Sequence, residues 1–141
     1  MLARAKEKIK DPKVSFQQAD IRKEWRFPPN EFDLVTFSLI LEHVENLMDV
    51  FEKVARVSQP GGYVYVAELH PFKQYTGTKA RFETGHGVQT VECFNHNISD
   101  FTGAAKRNGF RIIEIEEYFD DNNRSNIPRI MIILFKKEGA Q

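Results

Sequence analysis

A run of residues from Asp33 to Leu41, DLVTFSLIL, is apolar on both faces and rich in β-branched and aromatic side chains. Such a run is typical of a strand in a parallel sheet that is covered by helices. A second run of this kind, YVYVAE, extends from Tyr63 to Glu68. Between the two runs, apolar residues recur with helical spacing at Leu47, Val50, Phe51, Val54 and Val57. This strand–helix–strand succession predicts an α/β fold.

The remaining pattern adds elements on both sides of this unit. We expect a helix over residues 1–10, a short strand from Val14 to about Asp20, and a loop over residues 21–31. Asn46 is the predicted N-cap of the central helix, and residues 59–62 (QPGG) are a predicted turn before the second buried strand. Residues 69–97 are irregular, and a loop this long in a compact domain is unusual unless it is functional or disordered.

The C-terminal third returns to regular structure. Ser99 is a predicted N-cap for a helix that runs through Asn108 and ends at Gly109. Phe110–Tyr118 and Arg129–Lys136 are predicted strands that are close enough in sequence to pair antiparallel. We therefore expect residues 1–141 to form a single domain.

Composition narrows the classes of protein that fit. The 20 Lys and Arg residues balance the 20 Asp and Glu residues, which argues against a protein that grips nucleic acid backbone. The longest apolar run, Ile130 to Phe135, is too short to span a membrane, and the charged start lacks the apolar centre of a signal peptide. The single cysteine, Cys93, allows no internal disulfide, so we expect a cytoplasmic protein.

The motifs FDLVTFSLILEHV (Phe32 to Val44) and ARVSQPGGYVYVAELHP (Ala55 to Pro71) closely resemble the central motifs of class I S-adenosylmethionine-dependent methyltransferases. VSFQQADI resembles the third strand of that family, and HNISDFTGAAKRNGFRIIEIEEYF resembles its last helix and sixth strand. IPRIMIILFKK resembles the seventh, antiparallel strand. The resemblance implies a Rossmann-like, doubly wound α/β sheet with an antiparallel last strand, and S-adenosyl-L-methionine as the cofactor.

The resemblance also implies cofactor-binding residues. Asp20 matches the carboxylate that accepts a hydrogen bond from the adenine amino group, and Ile21 matches the neighbour whose backbone N–H meets the ring. Phe37, Ser38 and Leu39 match the stretch beside the methionine part of the cofactor. The alternatives are structural: Asp20 is also a good turn former, and Phe37 and Leu39 also suit an apolar core. In doubly wound folds, ligands bind beyond the carboxyl ends of the strands, where these residues lie.

Two histidines are the predicted active-site residues, since imidazole titrates near neutral pH. His43 matches a position that faces the active-site mouth in many relatives, with a helix-surface or capping histidine as the alternative. His96 lies in the irregular region. Glu68 and His70 follow the fifth strand of the family, where its substrate-facing loop begins. No metal-ligand spacing is present, so we expect no metal site, and Cys93 is interpreted as a buried spectator.

The glycine-rich loop after the family's first strand, and the acidic residue that ends its second strand, have no counterpart here. The sequence therefore predicts a fold that is truncated at its N-terminus and lacks the first two strands. In the family's sheet order, these strands lie between the Val14 strand and the Asp33 strand. Their absence would leave the Asp33 strand with one unpaired edge, which invites pairing with another chain. A fragment is the preferred explanation, beside a misplaced start codon or a partner chain.

We thus expect a methyltransferase that acts on a small-molecule substrate, without membrane or nucleic acid partners. A non-catalytic module that forms a homodimer or binds a partner through the open sheet edge is the alternative. A nicotinamide-dependent oxidoreductase is disfavoured, because the motifs after the fourth and fifth strands do not resemble that class.

Overall fold

The computed structural model describes residues 2–76, 81–84, 87–90 and 93–139. Its helices are α1 (Leu2–Lys8), α2 (Leu47–Val57), α3 (Pro71–Tyr75) and α4 (Ile98–Arg107). Its strands are β1 (Phe32–Ser38), β2 (Ser58–Leu69), β3 (Arg81–Thr84), β4 (Gly87–Thr90), β5 (Phe110–Tyr118) and β6 (Ile130–Lys137). One 3₁₀ turn, Leu41–His43, follows β1, and another, Asp120–Asn122, follows β5.

Four strands form the main sheet in the order β1-β2-β6-β5. The β1–β2 pair is parallel, whereas β6 pairs antiparallel with both β2 and β5. Strands β3 and β4 form a separate antiparallel hairpin. The predicted antiparallel pairing of the last two strands is confirmed, and so is the α/β class with an antiparallel last strand.

The core lies between one face of the sheet and the helices α2 and α4. The apolar stripe of α2 is buried as its spacing predicted, and Phe51 at its centre packs edge-on against Phe110 and Phe135 with ring centroids 6.4 and 5.8 Å apart. The side chain of Asn46 accepts a hydrogen bond from the Asp49 N–H, which confirms the predicted N-cap. Alternate residues of β2 face away from this core, and Tyr63 among them is 38% exposed.

The predicted turn at residues 59–62 is wrong, because these residues belong to β2. The strand begins at Ser58, opposite Phe32, and the register then shifts so that Tyr63 lies opposite Leu34. Gly61 has a φ of 80°, a left-handed conformation that glycine adopts without strain. The glycines therefore form an irregularity within the strand that keeps β2 paired to β1.

Two other elements of the structure differ from the sequence prediction. Residues 14–20 do not form the predicted strand, and Val14 is 43% exposed. A strand needs a neighbour for its backbone groups, and within the described residues β1 pairs only with β2, so this segment has no ladder to join. The N-cap of α4 is Asn97 rather than Ser99, because the Asn97 N–H donates to the Asp100 carboxylate at 2.7 Å. The helix end at Asn108 and Gly109 is as predicted.

Replacing Gly62 by alanine tests the close approach of β1 and β2. A Cβ atom there would lie 2.9 Å from the Gln59 carbonyl oxygen and 3.2 Å from the Asp33 carbonyl oxygen. Both neighbours are backbone atoms, which cannot move aside as the end of a flexible side chain can. We expect G62A to lower the free energy of unfolding in urea by about 1–3 kcal/mol. The matched control is G103A in α4, where an added Cβ meets nothing within 4 Å. It should raise stability by about 0.5–1 kcal/mol, and equal effects of the two variants would contradict this account.

Candidate active site

The carboxyl end of β1 makes an unusual turn. Leu39, directly after Ser38, has a φ of 51°, which is left-handed and costs free energy for a residue with a side chain. Its N–H still donates to the Ala67 carbonyl of β2 at 2.9 Å, while its side chain is 51% exposed. Left-handed, exposed backbone at the end of a parallel strand is typical of a ligand-binding site.

Glu68 holds this turn from the neighbouring strand. Its carboxylate accepts hydrogen bonds from the N–H of Leu41 at 2.9 Å and of Ile40 at 3.2 Å. The residue is 1% exposed, and this burial raises the pKa of its carboxyl group to about 7, against the opposing effect of backbone hydrogen bonds from Ile40, Leu41 and Glu42. The sequence places Glu68 at a strand end, but its bonds to a turn 27 residues earlier follow only from the tertiary fold.

Asp20 lies in a separate turn. Its carboxylate accepts from the Arg22 N–H at 2.9 Å and pairs with the Arg22 guanidinium through Nε at 3.0 Å and a terminal nitrogen at 2.9 Å. These hydrogen bonds lower the pKa of Asp20 to about 2. Asp20 therefore forms the turn that its residue type favours and carries a negative charge at every pH above about 4.

Two basic residues of α2 anchor the segment that follows Asp20. The Lys53 ammonium donates to the carbonyls of Arg22 and Lys23 at 2.9 and 2.8 Å, and it lies 3.4 Å from the Ile21 carbonyl. Arg56 likewise donates to the carbonyls of residues 25 and 27. This clamp fixes residues 21–27 without any strand pairing. No sequence signal identified it, because Lys53 and Arg56 look like ordinary polar-face residues of an amphipathic helix.

A cavity of about 390 Å³ lies between the clamped segment and β1. Three of the five predicted cofactor-binding residues line it, namely Asp20, Ile21 and Phe37. Trp25, whose indole N–H donates to the Ile21 carbonyl at 2.9 Å, contributes a flat apolar wall. The other two predicted residues, Ser38 and Leu39, follow Phe37 directly at the end of β1. The fold thus brings Phe37 to the same cavity as Asp20 and Ile21, which lie 17 and 16 positions earlier in the sequence.

His43 lies in the 3₁₀ turn after β1, with its side chain about one-quarter exposed. Its Nε2 is 3.7 Å from the Glu42 carboxylate, and its Nδ1 is 3.9 Å from the Cys93 sulfur. Glu42 itself is only 4% exposed. Cys93 is half-buried, and the histidine ring is held between the two groups at the mouth of the turn.

His96 is buried, and its Nε2 contacts the Val44 carbonyl at 2.5 Å. Because a carbonyl only accepts, this ring nitrogen is the donor. His96 lines a different cavity, of about 680 Å³, between the N-terminal end of α2 and the length of α4. Together with the Phe94 N–H, which donates to the Glu42 carbonyl at 2.7 Å, this contact joins residues 93–96 to the turn after β1.

A second buried histidine was singled out only as a residue of the substrate-facing loop. His70 is fully buried, and its Nε2 lies 2.6 Å from the Glu117 carboxylate of β5. Its Nδ1 accepts a hydrogen bond from the Phe72 N–H at 3.1 Å. The ring proton therefore lies on Nε2, which donates the hydrogen bond to the Glu117 carboxylate. The pair joins the start of α3 to the sheet. Part of the segment over residues 69–97 lies outside the described residues.

The described residues contain no group of three or more acidic, histidine or cysteine side chains placed to hold a metal ion. Among the helices of this described part, none is long and apolar enough to cross a membrane.

Residues 1–66 match the protein family described as a methyltransferase domain. In structure, the chain superposes on a crystal structure from Listeria monocytogenes, described provisionally as an S-adenosylmethionine-dependent methyltransferase, with a TM-score of 0.82 at 19% identity. This superposition covers 98% of this chain and 76% of that one. The resemblance to class I S-adenosylmethionine-dependent methyltransferases is therefore confirmed, and the chain has their Rossmann-like fold.

Particular relatives match a shorter stretch. Methyltransferase str3 of Strobilurus tenacellus is 32% identical over 63 residues, which is 43% of this chain and 23% of that protein. The ubiquinone biosynthesis O-methyltransferase of Dechloromonas aromatica is 36% identical over 58 residues, which is 41% of this chain and 25% of that protein. The matched region thus spans about a quarter of the length of these two curated relatives.

The clamp formed by Lys53 can be tested without any ligand. Lys53→Met keeps the aliphatic stem but removes the ammonium that binds the carbonyls of residues 21–23. Hydrogen bonds to charged groups contribute about 1.5–3 kcal/mol, so amide protection over residues 21–27 should fall at least about tenfold in hydrogen exchange. The control is Lys106→Met, on the exposed side of the last turn of α4. Equal protection of residues 21–27 in the two variants would show that the clamp does not hold the segment.

Proposed function

We propose that this chain carries the cofactor-binding site of an S-adenosyl-L-methionine-dependent methyltransferase that acts on a small molecule. The supporting observation is the convergence of Asp20, Ile21 and Phe37 on one cavity of about 390 Å³ beside the turn at Ser38 and Leu39. The family match and the fold support the same reaction class. The methyl acceptor is a nucleophilic N, O, S or C atom of an unidentified compound, and the compartment we propose is the cytoplasm.

The residues present fit this cofactor in size and chemistry. Ligand cavities typically measure about 300–1,000 Å³, and the side chains of Trp25 and Phe37 offer apolar walls to a purine ring. A carboxylate has about four lone-pair positions, and Arg22 uses three contacts on Asp20, so one position remains for an amino group. Asp20 and Ile21 would thus hold the adenine, and Ser38 and Leu39 would lie along the methionine end.

The cofactor supplies an electrophilic sulfonium methyl group, so the protein itself has to supply alignment and exclusion of water. The turn at residues 38–41 is suited to alignment, because Glu68 and Ala67 fix its backbone from the neighbouring strand. Trp25 and Phe37 are suited to excluding water from the cavity. Asp20 binds as a fixed negative charge, since its low pKa leaves it ionised throughout the physiological range.

The roles of the two predicted active-site histidines differ in kind. His43 is partly exposed and lies at the end of β1, a position suited to accepting a proton from the acceptor group. His96 donates to a backbone carbonyl in a buried site, so we assign it to holding residues 93–96 against the turn.

Calorimetric titration with S-adenosylhomocysteine tests the proposed cofactor site. We expect binding, and we expect Asp20→Ala to weaken it by about tenfold, as loss of one hydrogen bond to a charged group would. Asp11→Ala is the matched control, because Asp11 accepts from the Lys13 N–H at 2.8 Å in the same kind of turn but does not line the cavity. The Asp20 contribution should stay constant from pH 5 to pH 9, given a pKa of about 2. No heat of binding at millimolar ligand would overturn the proposal for this chain.

We also propose that the chain forms a homodimer through the edge of β1. Within the described sheet, β1 pairs on one side only, and Leu34, which also lines the cavity of about 390 Å³, is 54% exposed along it. The other edge strand, β5, carries Arg111, Glu114, Glu116 and Glu117, and such charges oppose edge-to-edge pairing. β1 carries one charged residue, Asp33, against four on β5, so its edge is the one better suited to a second copy, in a two-fold arrangement.

Analytical ultracentrifugation tests this association. The wild-type chain should sediment as a dimer, and Leu34→Lys should shift it to monomer, because each copy would then carry an added charge on the pairing edge. Ile113→Lys places the same charge on the other edge strand, at a residue that is 41% exposed, and should leave the dimer intact. A wild-type chain that stays monomeric at 100 μM or above, roughly the range of weak association, would refute edge pairing.

A further inference from the structure

Two buried carboxyl groups lie behind the turn that follows β1. Glu68 is 1% exposed and Glu42 is 4% exposed. The Glu68 carboxylate accepts hydrogen bonds from the backbone N–H groups of Ile40 and Leu41, whereas one oxygen of Glu42 has no hydrogen-bond partner among the described residues. Burying two acids side by side is costly, so their presence calls for a reason beyond filling space.

The hydrogen bonds that Glu68 accepts give a reason for burying its carboxyl group. Leu39 is held in the left-handed region, and the two residues after it direct their amides at one carboxylate. A neutral apolar side chain in place of Glu68 would take this acceptor away from the buried Leu41 amide and the part-buried Ile40 amide. The carboxylate therefore selects this turn geometry over the relaxed, right-handed alternatives for Leu39.

We infer that Glu68 is a positioning residue for the turn at residues 38–41, and that its ionised form sets the backbone which the proposed cofactor would contact. This inference rests on the proposed function for the identity of the ligand, but the positioning itself does not require a ligand.

The charge of Glu68 can change near neutral pH. Burial and the charge of Glu42 raise its pKa to about 7, so both protonation states are populated there. Across the sheet its register partner on β6 is Met131, which is neutral. Further along its own segment is His70, which is paired with Glu117 of β5. Glu42 is thus the neighbour whose charge acts against that of Glu68.

Protonation of Glu68 should have opposite local and global effects. A protonated carboxyl group accepts hydrogen bonds more weakly than a carboxylate, so the amides of Ile40 and Leu41 should open more often at low pH. The pKa is raised in the folded state, so the contribution of Glu68 to global stability is full below about pH 4.5 and is lost as pH rises through 7. A purely structural role would move local and global protection together.

Amide hydrogen exchange measured by NMR tests the inference in the free protein. Between pH 8.5 and pH 5.5, the protection factors of Ile40 and Leu41, corrected for intrinsic exchange, should fall about fivefold, since charge-assisted hydrogen bonds are about twice as strong as neutral ones. The Leu39 amide, which donates to the Ala67 carbonyl, is the internal reference, and its protection factor should stay constant. Unchanged protection of Ile40 and Leu41 across this range would overturn the inference.

Three variants sharpen the test. Glu68→Gln should remove the pH dependence at both amides and lower the protection of one of them, because an amide side chain offers only one acceptor oxygen. Glu42→Gln should shift the midpoint of the transition to lower pH, since it removes the charge that raises the pKa of Glu68. Glu52→Gln, on the exposed face of α2, should behave as wild type. If the pH-dependent change in protection persisted in the Glu68→Gln variant, another titrating group would be its cause.

Titration with S-adenosylhomocysteine at pH 8.5 and pH 5.5 connects the turn to the proposed site. The wild-type protein should bind S-adenosylhomocysteine about fivefold more weakly at pH 5.5 than at pH 8.5. The Glu68→Gln variant should bind it equally well at the two pH values. Absence of binding at both pH values would overturn the proposed function, while the exchange experiment would still decide whether Glu68 positions the turn. Binding that is equal at both pH values, together with a pH-dependent turn, would refute the link to the ligand.

Discussion

The buried carboxylate of Glu68 is the contact on which the candidate site depends. It joins the end of β2 to the turn after β1 by accepting hydrogen bonds from the buried Leu41 amide and the part-buried Ile40 amide. The adjacent Leu39 amide is bound by the Ala67 carbonyl, so three successive amides are fixed by one stretch of β2. The left-handed backbone at Leu39 is maintained because these contacts together outweigh its conformational cost.

Helix α2 has two roles, of which only one is evident from its sequence pattern. Its apolar stripe packs into the core, and this face is evident from the spacing of Val50 and Val54. Its polar face carries the Lys53 and Arg56 contacts that hold residues 21–27 beside β1. A cavity with Asp20 on one wall and Phe37 on another therefore forms without an intervening strand. The fold alone does not establish a reaction, which is why the proposed methyl transfer depends on the chemistry of this cavity.

Sequence patterns predicted most regular elements, because each depends on local periodicity or on a capping residue. The central helix with its Asn46 cap and the strand Phe110–Tyr118 agree with the structure. The strand predicted from Val14 is wrong, since strand formation depends on a distant partner rather than on alternation alone. The turn predicted at residues 59–62 is wrong for a related reason: pairing with β1 keeps the glycines within β2.

The sequence by itself determined the α/β class, the amphipathic face of α2 and the resemblance to class I methyltransferases, since these properties reside in short contiguous motifs. It also supplied Asp20, Ile21 and Phe37 as candidates, although their cofactor contacts stay predictions. Only the tertiary structure decided that these three side chains share a cavity, that Lys53 clamps the segment after Asp20, and that Glu68 grips the turn at Leu39. The Lys53 and Glu68 contacts join residues 27 or more positions apart, and burial of a carboxylate, with its effect on pKa, is a property of the packed fold.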